Sequence, residues 1–346
     1  MKAGVFHDIK DIRFEEVEDV KIEPGDKLDV IIKVGAAGIC GSDIAHYIGV
    51  HSLDKGSIMG HELSGQVVEV GENVTNVKVG DRVGVEPLIG CGHCRFCLQG
   101  DYYLCPELKH IGYFYKGGFA EFTKVPHEKL YKLPDHLSFE EACTLDCYAV
   151  AIHGLKRVPI NVGDTVVIFG AGPVGLCMAQ AAKVAGAKAV VIIDVVDGIL
   201  DVSKKAGFDM AYNSMNVDVY QKVMDITDGN GADIVFDGAG GKAPVLDLGV
   251  RMLRPRGTLG IIGMRESLEF DSVSAHFKEI DIKYVFSYGM WDYKTEFEIA
   301  LDLISTGKIN ALHIITHRFP LKEVDQGFKT ALDKKTSKAV KVVLIP

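Results

Sequence analysis

The apolar and polar positions along the chain follow two different patterns, one in its first part and one in its middle. Up to about residue 150, short alternating runs of apolar and polar residues are separated by glycines. Alternation with a period of two is typical of strands with one buried face. It predicts strands at residues 29–34, 65–70, 81–86 and 119–125. Since no long helical segment lies between them, we expect an antiparallel, mainly β, barrel-like domain.

The pattern changes near Gly163, where continuous apolar runs begin to alternate with helical segments. Strands are predicted at residues 165–169, 190–193, 234–236 and 258–262, and a helix is predicted at 174–185. Buried strands alternating with helices indicate an α/β domain, built on a doubly wound parallel sheet with helices on both faces. Further along, we expect a strand at 282–286, a helix at 294–305 and a closing strand at 339–345.

Composition and charge narrow the class of protein. The chain has 346 residues, of which 47% are hydrophobic and 25% charged, and its formal net charge is −9. This balance is typical of a globular protein, and the length suits two domains. An acidic chain without a basic stripe argues against nucleic acid as a partner. Because the first residues lack the apolar run of a signal peptide and no stretch is long enough to span a membrane, we expect a cytoplasmic protein without a membrane partner.

A glycine-rich turn follows the predicted strand 165–169 and opens the predicted helix. Its sequence is Gly170-Ala171-Gly172-Pro173-Val174-Gly175. A second predicted strand ends at Asp194, about 20 residues further on, so the conditions of the dinucleotide fingerprint G-x-G-x-x-G are met. The helix N-terminus would hold the pyrophosphate, and Asp194 would accept hydrogen bonds from the adenosine ribose. Since Asp194 would repel a 2′-phosphate and neither Arg nor Lys directly follows it, the sequence favours NAD over NADP.

Four of the eight cysteines fall in one short segment, at Cys91, Cys94, Cys97 and Cys105. Four thiolates at such spacing can surround zinc tetrahedrally with no open position, which is typical of a structural site. Disulfides are the competing interpretation, but they are rare in a reducing compartment. The ligand type also suits an iron–sulfur cluster, although the spacing differs from that of the bacterial ferredoxins. His93 could replace one of the cysteines.

A second group of reactive side chains is dispersed along the chain. Its members are Cys40, Ser42, Asp43, His61, Glu62, Asp146 and Cys147. Taken singly, each has an ordinary structural explanation as a buried thiol, a core histidine, a turn residue or a helix cap. They gain weight from their order along the chain and from the accompanying motifs Gly60-His61-Glu62, Val79-Gly80-Asp81-Arg82-Val83 and Gly117-Gly118-Phe119-Ala120-Glu121.

In these motifs the chain resembles the zinc-dependent medium-chain alcohol and polyol dehydrogenases over essentially its whole length. Residues 279–283 and 316–321 look most like the sorbitol dehydrogenase branch. The resemblance implies a GroES-like catalytic domain formed by residues 1–151 and 289–346. It also implies a Rossmann NAD-binding domain at residues 152–288, and assembly as a homodimer or homotetramer.

The resemblance further implies a catalytic zinc in addition to the structural one. Cys40 and His61 match the family's first two ligands. Asp146 lies in the register of the third ligand, which is a carboxylate in several polyol dehydrogenases, and Cys147 and Cys143 are the alternatives.

Three more residues match family positions around that zinc. Glu62 matches a residue that ligates the zinc directly or exchanges with water. Asp43 matches the carboxylate that accepts the second N–H of the histidine ligand and so fixes its tautomer. Ser42 matches the hydroxyl that takes the proton of the alcohol.

The chain departs from the family in its proton relay. The family often has a histidine at the position of Ala45, whereas here His46 comes next. The relay can therefore run through His46, His51, or the ribose and water. Candidate residues of the substrate pocket are Tyr47, Tyr113, Phe114 and Trp291.

We therefore expect a zinc- and NAD-dependent dehydrogenase that interconverts a secondary alcohol of a polyol, sugar alcohol or sugar-alcohol phosphate with the ketone. Within this class, the alternatives are a threonine-type amino-alcohol dehydrogenase and a simple secondary-alcohol dehydrogenase. The alternative from another class is a non-catalytic zinc- and NAD-binding sensor or scaffold, against which the retained reactive residues argue.

Overall fold

The computed structural model describes residues 1–241 and 243–346. The chain forms two compact units. One is made of Met1–Asp146 with Gly289–Pro346, and the other of Cys147–Tyr288. Among the described residues, no helix has both the length and the apolar character needed to cross a bilayer.

The first segment of the chain is mainly β structure. Its strands are Lys2–Asp8 (β1), Asp11–Glu16 (β2), Asp29–Ile39 (β3), Glu62–Val70 (β4), Arg82–Val85 (β5), Leu88–Ile89 (β6), Lys109–His110 (β7), Phe122–Pro126 (β8) and Leu130–Lys132 (β9). Its helices are Gly41–Tyr47 (α1), Arg95–Leu98 (α2), Phe139–Ala142 (α3) and Leu145–Arg157 (α4), the last of which continues into the middle segment. The first two strands pair as an antiparallel hairpin that the sequence pattern did not predict.

The middle segment alternates strands and helices. Its strands are Thr165–Phe169 (β10), Ala189–Asp194 (β11), Ala211–Asn213 (β12), Ala232–Asp237 (β13), Leu253–Ile261 (β14) and Asp281–Tyr284 (β15). Its helices are Pro173–Ala185 (α5), Asp197–Lys205 (α6), Val219–Ile226 (α7), Leu246–Met252 (α8) and Ser272–Phe277 (α9). The strands form a parallel sheet in the order β12-β11-β10-β13-β14-β15, so the strand order reverses between β10 and β13. This is the order of the doubly wound dinucleotide-binding fold, and the predicted parallel sheet is confirmed.

The last segment returns to the first unit. Its strands are Met290–Trp291 (β16), Lys294–Thr295 (β17), Ile315–Pro320 (β18) and Lys341–Ile345 (β19). Its helices are Glu296–Ser305 (α10), Val324–Leu332 (α11) and Lys334–Ser337 (α12). Strand β19 pairs antiparallel with β3 and parallel with β18, within a seven-stranded sheet that runs β18-β19-β3-β4-β5-β9, with β8 also paired to β3. The C-terminal strand thus completes the sheet of the N-terminal segment, and the mainly β class of this unit is confirmed.

One strand begins later than its pattern predicts. The apolar run at 119–125 becomes strand only from Phe122, because its first residues bond elsewhere. The N–H of Phe119 donates to the carbonyl oxygen of Met59 at 3.0 Å, and the N–H of Gly118 donates to that of Gly60 at 2.6 Å. These bonds hold residues 118–119 against the chain that leads into His61.

Candidate metal and dinucleotide sites

The four clustered cysteines come together around one point. Cys91 and Cys94 precede α2, Cys97 lies within it, and Cys105 follows a 3₁₀ turn. Their sulfur atoms all lie within 4.8 Å of one another, and the Cys94–Cys97 and Cys91–Cys97 sulfur distances are 3.5 and 3.9 Å. Zinc–sulfur bonds of 2.3 Å in a tetrahedron place the ligands about 3.8 Å apart. The four cysteines therefore fit a zinc ion.

Backbone N–H groups donate to these sulfurs and stabilise their negative form. The N–H of Cys91 donates to the Cys105 sulfur and that of Cys94 to the Cys91 sulfur, both at 3.3 Å. The hydrogen bond from the Cys97 N–H lowers the pKa of the Cys94 thiol to about 7. Since the thiolate is the metal-binding form, this hydrogen bond favours metal binding at Cys94, whereas burial raises the pKa of the Cys97 thiol to about 12. All eight cysteines are free thiols, and His93 is an exposed neighbour whose Nδ1 lies 2.9 Å from the Cys91 carbonyl oxygen.

The second group of reactive residues forms where β3 and β4 lie side by side. Cys40 follows β3 and precedes α1, while His61 directly precedes β4, whose first residue is Glu62. Pairing of Gly38 with Glu62 brings these distant parts of the chain together. One ligating atom from each of Cys40, His61 and Glu62 lies within 4.8 Å of the other two. A thiol, an imidazole and a carboxylate form a donor set that zinc accepts.

Asp43 is fully buried behind this group. Its Oδ2 accepts the N–H of Cys40 at 2.8 Å, and its Oδ1 lies 3.4 Å from His61 Nδ1. Burial by itself would raise the pKa of Asp43, but its interactions with neighbouring groups, His61 first among them, together outweigh burial and lower that pKa. Oδ1 makes no hydrogen bond among the described residues, so Asp43 acts on His61 through its charge, which favours a hydrogen on Nδ1 and leaves Nε2 for a metal.

Glu62 is paired with a residue that the motifs did not reveal. Nζ of Lys341, the first residue of β19, donates to both carboxylate oxygens of Glu62, at 2.7 and 2.6 Å, and both side chains are buried. The same ammonium group lies 3.4 Å from the carbonyl oxygen of Ile39. A lysine inside the apolar closing run 339–345 is the signal in the sequence that could have suggested a buried partner.

A hydroxyl and ring cluster lies beside the same group. Tyr113 donates its hydroxyl hydrogen to Ser42 Oγ at 2.8 Å, and its oxygen is 3.2 Å from His61 Nδ1. The ring of Tyr113 stacks on His110 and lies 4.5 Å, centroid to centroid, from that of His46. Burial lowers the pKa of His46, and its Nδ1 is buried without a hydrogen-bond partner among the described residues.

The remaining predicted ligand, Asp146, lies in the first turn of α4. The three-residue group of Cys40, His61 and Glu62 does not include it within the part of the chain that the structure describes. Its role as the third ligand stays a prediction. Of the alternatives, Cys143 is a fully buried thiol whose pKa is raised by that burial.

The dinucleotide fingerprint occupies the turn between β10 and α5. Gly170 has φ +93°, a left-handed conformation that favours glycine. A Cβ on Gly175 would lie 1.9 Å from the Gly170 carbonyl oxygen, so only glycine allows the helix to pack this closely. Gly172 caps α5, Pro173 is its first residue and Val174 follows. This arrangement leaves a helix N-terminus open to a pyrophosphate, and the turn fits a dinucleotide.

Asp194 ends β11, next to this turn. Its Oδ2 accepts the N–H of Ala171 at 2.8 Å, and its Oδ1 accepts those of Val195 and Val196 at 2.7 and 3.0 Å. These bonds hold the carboxylate at the end of the strand and use three of its four lone-pair sites, so one site on Oδ2 remains for a ribose hydroxyl.

Comparisons with known proteins agree with this geometry. Residues 26–135 match the family model of the alcohol dehydrogenase GroES-like domain, and residues 173–306 match that of the zinc-binding dehydrogenases. The chain is 33% identical to a sorbitol dehydrogenase of Bacillus subtilis, over 100% of this chain and 97% of that protein. It is 36% identical to a probable D-xylulose reductase A of Aspergillus clavatus, over 98% and 95% of the two chains. The solved structure of galactitol-1-phosphate dehydrogenase from Escherichia coli is similar with a TM-score of 0.91 at 26% identity, covering 100% of both chains.

Proposed function

The chain belongs to the zinc-binding dehydrogenase family, among its medium-chain alcohol and polyol dehydrogenases, and from this we propose that it interconverts a secondary alcohol of a polyol, sugar alcohol or sugar-alcohol phosphate with the ketone. The observation that carries the proposal is the group of Cys40, His61 and Glu62, in a chain that also has a complete dinucleotide fingerprint. The names of the relatives, sorbitol dehydrogenase and D-xylulose reductase, support the polyol class of substrate.

Cys40 and His61 would hold the catalytic zinc, with Asp146 as the proposed third ligand. When bound, zinc supplies a Lewis acid that lowers the pKa of a hydroxyl and, in the reverse direction, polarises a carbonyl. Asp43 would favour the required tautomer of His61 through its negative charge, 3.4 Å from Nδ1. Lys341 holds Glu62 by both oxygens, which supports a role for Glu62 beside the metal rather than as a permanent ligand.

The turn from Gly170 to Gly175 and Asp194 would hold NAD, which supplies the hydride acceptor when bound. The open N-terminus of α5 supports a pyrophosphate position there. The negative charge of Asp194 supports NAD over NADP, because a 2′-phosphate at the same ribose would meet that charge.

Ser42 would accept the proton that the alcohol loses and pass it on. Its Oγ is held by the hydroxyl of Tyr113, whose ring contacts His46. The ring contact places His46 next to this hydroxyl pair, and that nearness supports His46 as the relay residue, since position 45 is an alanine.

Cys91, Cys94, Cys97 and Cys105 would hold the structural zinc, because their sulfur separations match a tetrahedral ion. Cysteines that bind zinc must stay reduced, and the cytoplasm keeps thiols reduced, which supports a location there.

The domain boundaries and the assembly are also proposals. We propose a catalytic domain of residues 1–151 and 289–346 and an NAD-binding domain of residues 152–288, for which the two compact units give support. We propose a homodimer or homotetramer, since β15 leaves an open edge on the parallel sheet. Tyr284, its last residue, and Phe277, in the helix before it, are 59% and 82% exposed.

The test is an assay of purified, zinc-loaded protein with NAD against a panel of polyols, polyol phosphates, amino alcohols and 2-propanol. We expect NADH formation with polyols, and loss of it in Cys40→Ser. A strict requirement for an amino group would favour the threonine-type enzyme, and preference for 2-propanol would favour the simple alcohol dehydrogenase. Binding of zinc and NAD with no turnover of any panel member would indicate the sensor or scaffold.

A further inference from the structure

A buried ion pair joins two loops at the carboxyl edge of the parallel sheet. Asp237 is the last residue of β13, and Arg265 lies in the loop after β14. Arg265 Nε donates to Asp237 Oδ2, and the two side chains are 6% and 1% exposed. Both residues lie outside the motifs discussed above.

Asp237 organises both loops with its remaining atoms. Its Oδ1 accepts the N–H groups of Ala239 and Gly240 at 3.1 and 3.2 Å. Its carbonyl oxygen accepts those of Ile262 and Gly263 at 3.0 and 2.9 Å. The loops pack backbone against backbone, since a Cβ on Gly263 would lie 2.3 Å from the nitrogen of Gly240. One carboxylate residue therefore anchors the start of each loop.

Arg265 closes the far side of the same arrangement. Its Nη1 donates to the carbonyl oxygens of Gly241 and Ala243 at 3.1 and 2.8 Å. The N–H of Gly241 in turn donates to the carbonyl oxygen of Met264 at 2.8 Å. Nη2 is buried and lacks a hydrogen-bond partner among residues 1–241 and 243–346.

The first of these loops also contacts the dinucleotide fingerprint. The N–H of Gly238 donates to the carbonyl oxygen of Phe169 at 2.8 Å, and a Cβ on Gly170 would lie 2.9 Å from the nitrogen of Ala239. A dinucleotide lies across the point where the strand order reverses, with one nucleotide on each half of the sheet. Asp194 belongs to the half that receives adenosine, so Asp237 and Arg265 belong to the half that receives the other nucleotide.

We propose that Arg265 is a positioning residue for the nicotinamide half of NAD. It clamps residues 238–241 to residues 262–265 in the arrangement that receives this nucleotide, and Asp237 neutralises its buried charge. The inference rests on the NAD-dependent function proposed above. Removing the guanidinium frees two carbonyl groups and one carboxylate together, so both loops lose their common anchor.

The experiment measures the two halves of the cofactor separately. Arg265→Met should weaken NADH binding, followed by fluorescence, about tenfold and raise the KM for NAD by a similar factor, with kcat changed less than about threefold. AMP needs only the adenosine half, so its affinity should change by less than about twofold. Arg256→Met is the matched control, because Arg256 is an exposed arginine of β14 that pairs with Glu279. Arg256→Met should leave the NADH affinity, the KM for NAD, kcat and the AMP affinity unchanged.

Two more variants separate positioning from folding. Arg265→Met leaves a buried carboxylate unpaired, whereas Arg265→Met/Asp237→Asn removes both charges. The double variant should melt close to the wild type and still bind NADH about tenfold more weakly, and Arg265→Lys should have an intermediate affinity. Unchanged NADH affinity in the double variant, or an equal loss for NADH and AMP, would overturn the inference. A wild-type protein that does not bind NADH would instead overturn the proposed function.

Discussion

Lys341 should contribute strongly to the stability of the fold, because it is the buried counter-charge of Glu62. Lys341→Met removes the positive charge that faces both oxygens of Glu62, whose side chain is fully buried. We expect the free energy of unfolding to fall by about 3–5 kcal/mol, measured by urea denaturation of the metal-free protein.

The matched variants for this pair are Lys335→Met and Lys341→Met/Glu62→Gln. Lys335 lies exposed on α12, so its replacement should leave stability unchanged. The double variant removes both charges and should recover most of the loss. A double variant as unstable as the single one would contradict the charge pairing as the source of the loss.

Asp194 should decide the choice of dinucleotide. In Asp194→Ala the charge that would oppose a 2′-phosphate is gone, so the ratio of kcat/KM for NAD to that for NADP should fall by about tenfold or more. Asp201→Ala, an exposed position on α6, serves as the control and should keep the ratio. An unchanged ratio in Asp194→Ala would contradict the ribose role.

At the scale of elements, the turn before β5 depends on one carboxylate. The Asp81 carboxylate accepts hydrogen bonds from the backbone N–H and from Nζ of Lys78, and it pairs with Lys132 on β9. The bonds from the two lysines lower the pKa of Asp81 to about 2. Because this pKa is lowered, the ionised carboxylate stabilises the fold at pH values above the ordinary pKa of 3.8. This stabilisation is lost as the pH falls toward about 2.

We therefore expect Asp81→Asn to lower the free energy of unfolding by about 1 kcal/mol at pH 7. The value is small because Lys78 is mostly exposed. Between pH 4 and about 2, the stability of the variant should depend less on pH than that of the wild type. Denaturant titrations across this range measure both effects, and Asp54→Asn, in an exposed loop, is the control. Parallel pH curves for wild type and Asp81→Asn would contradict this role.

The cysteine loop is the element that depends on metal. Between β6 and β7 it contains only the one-turn helix α2 and a 3₁₀ turn, so it has little core of its own. We expect two zinc ions per wild-type chain and one in Cys97→Ser, with a lower melting temperature, as measured by metal analysis and calorimetry. Cys177→Ala, which removes a buried thiol of α5, should keep both ions. Two ions in Cys97→Ser would rule out the four-thiolate site.

Most helices and strands lie close to the positions that their local patterns predict, but the helix predicted at 294–305 begins at Glu296, because residues 294–295 pair as β17 with β16. Strand β10 has the bounds that its apolar run predicts, and α5 begins one residue before the predicted helix because Pro173 suits the first helical position. The β1–β2 hairpin lacked such a signal, since its residues alternate only weakly.

At the scale of the whole molecule, we expect the β15 edge of the parallel sheet to form the interface between subunits. Phe277→Glu/Tyr284→Glu places charge beside β15, so we expect the oligomer to dissociate toward monomer at micromolar concentration, measured by light scattering. Tyr293→Glu, 85% exposed in the other unit, should leave the assembly intact. An unchanged mass in the double variant would place the interface elsewhere.

Local pattern predicted most of the elements, the cluster of four cysteines and the fingerprint, because these depend on residues close together along the chain. One loop contains the cysteines from Cys91 to Cys105, and one turn contains the glycines from Gly170 to Gly175. The partners of Glu62, Ser42 and Asp237 are different. Lys341, Tyr113 and Arg265 lie 279, 71 and 28 residues away and meet them only after the sheets and loops have packed. Burial then makes those pairings strong, since a charge or hydroxyl removed from water must find its partner within the fold.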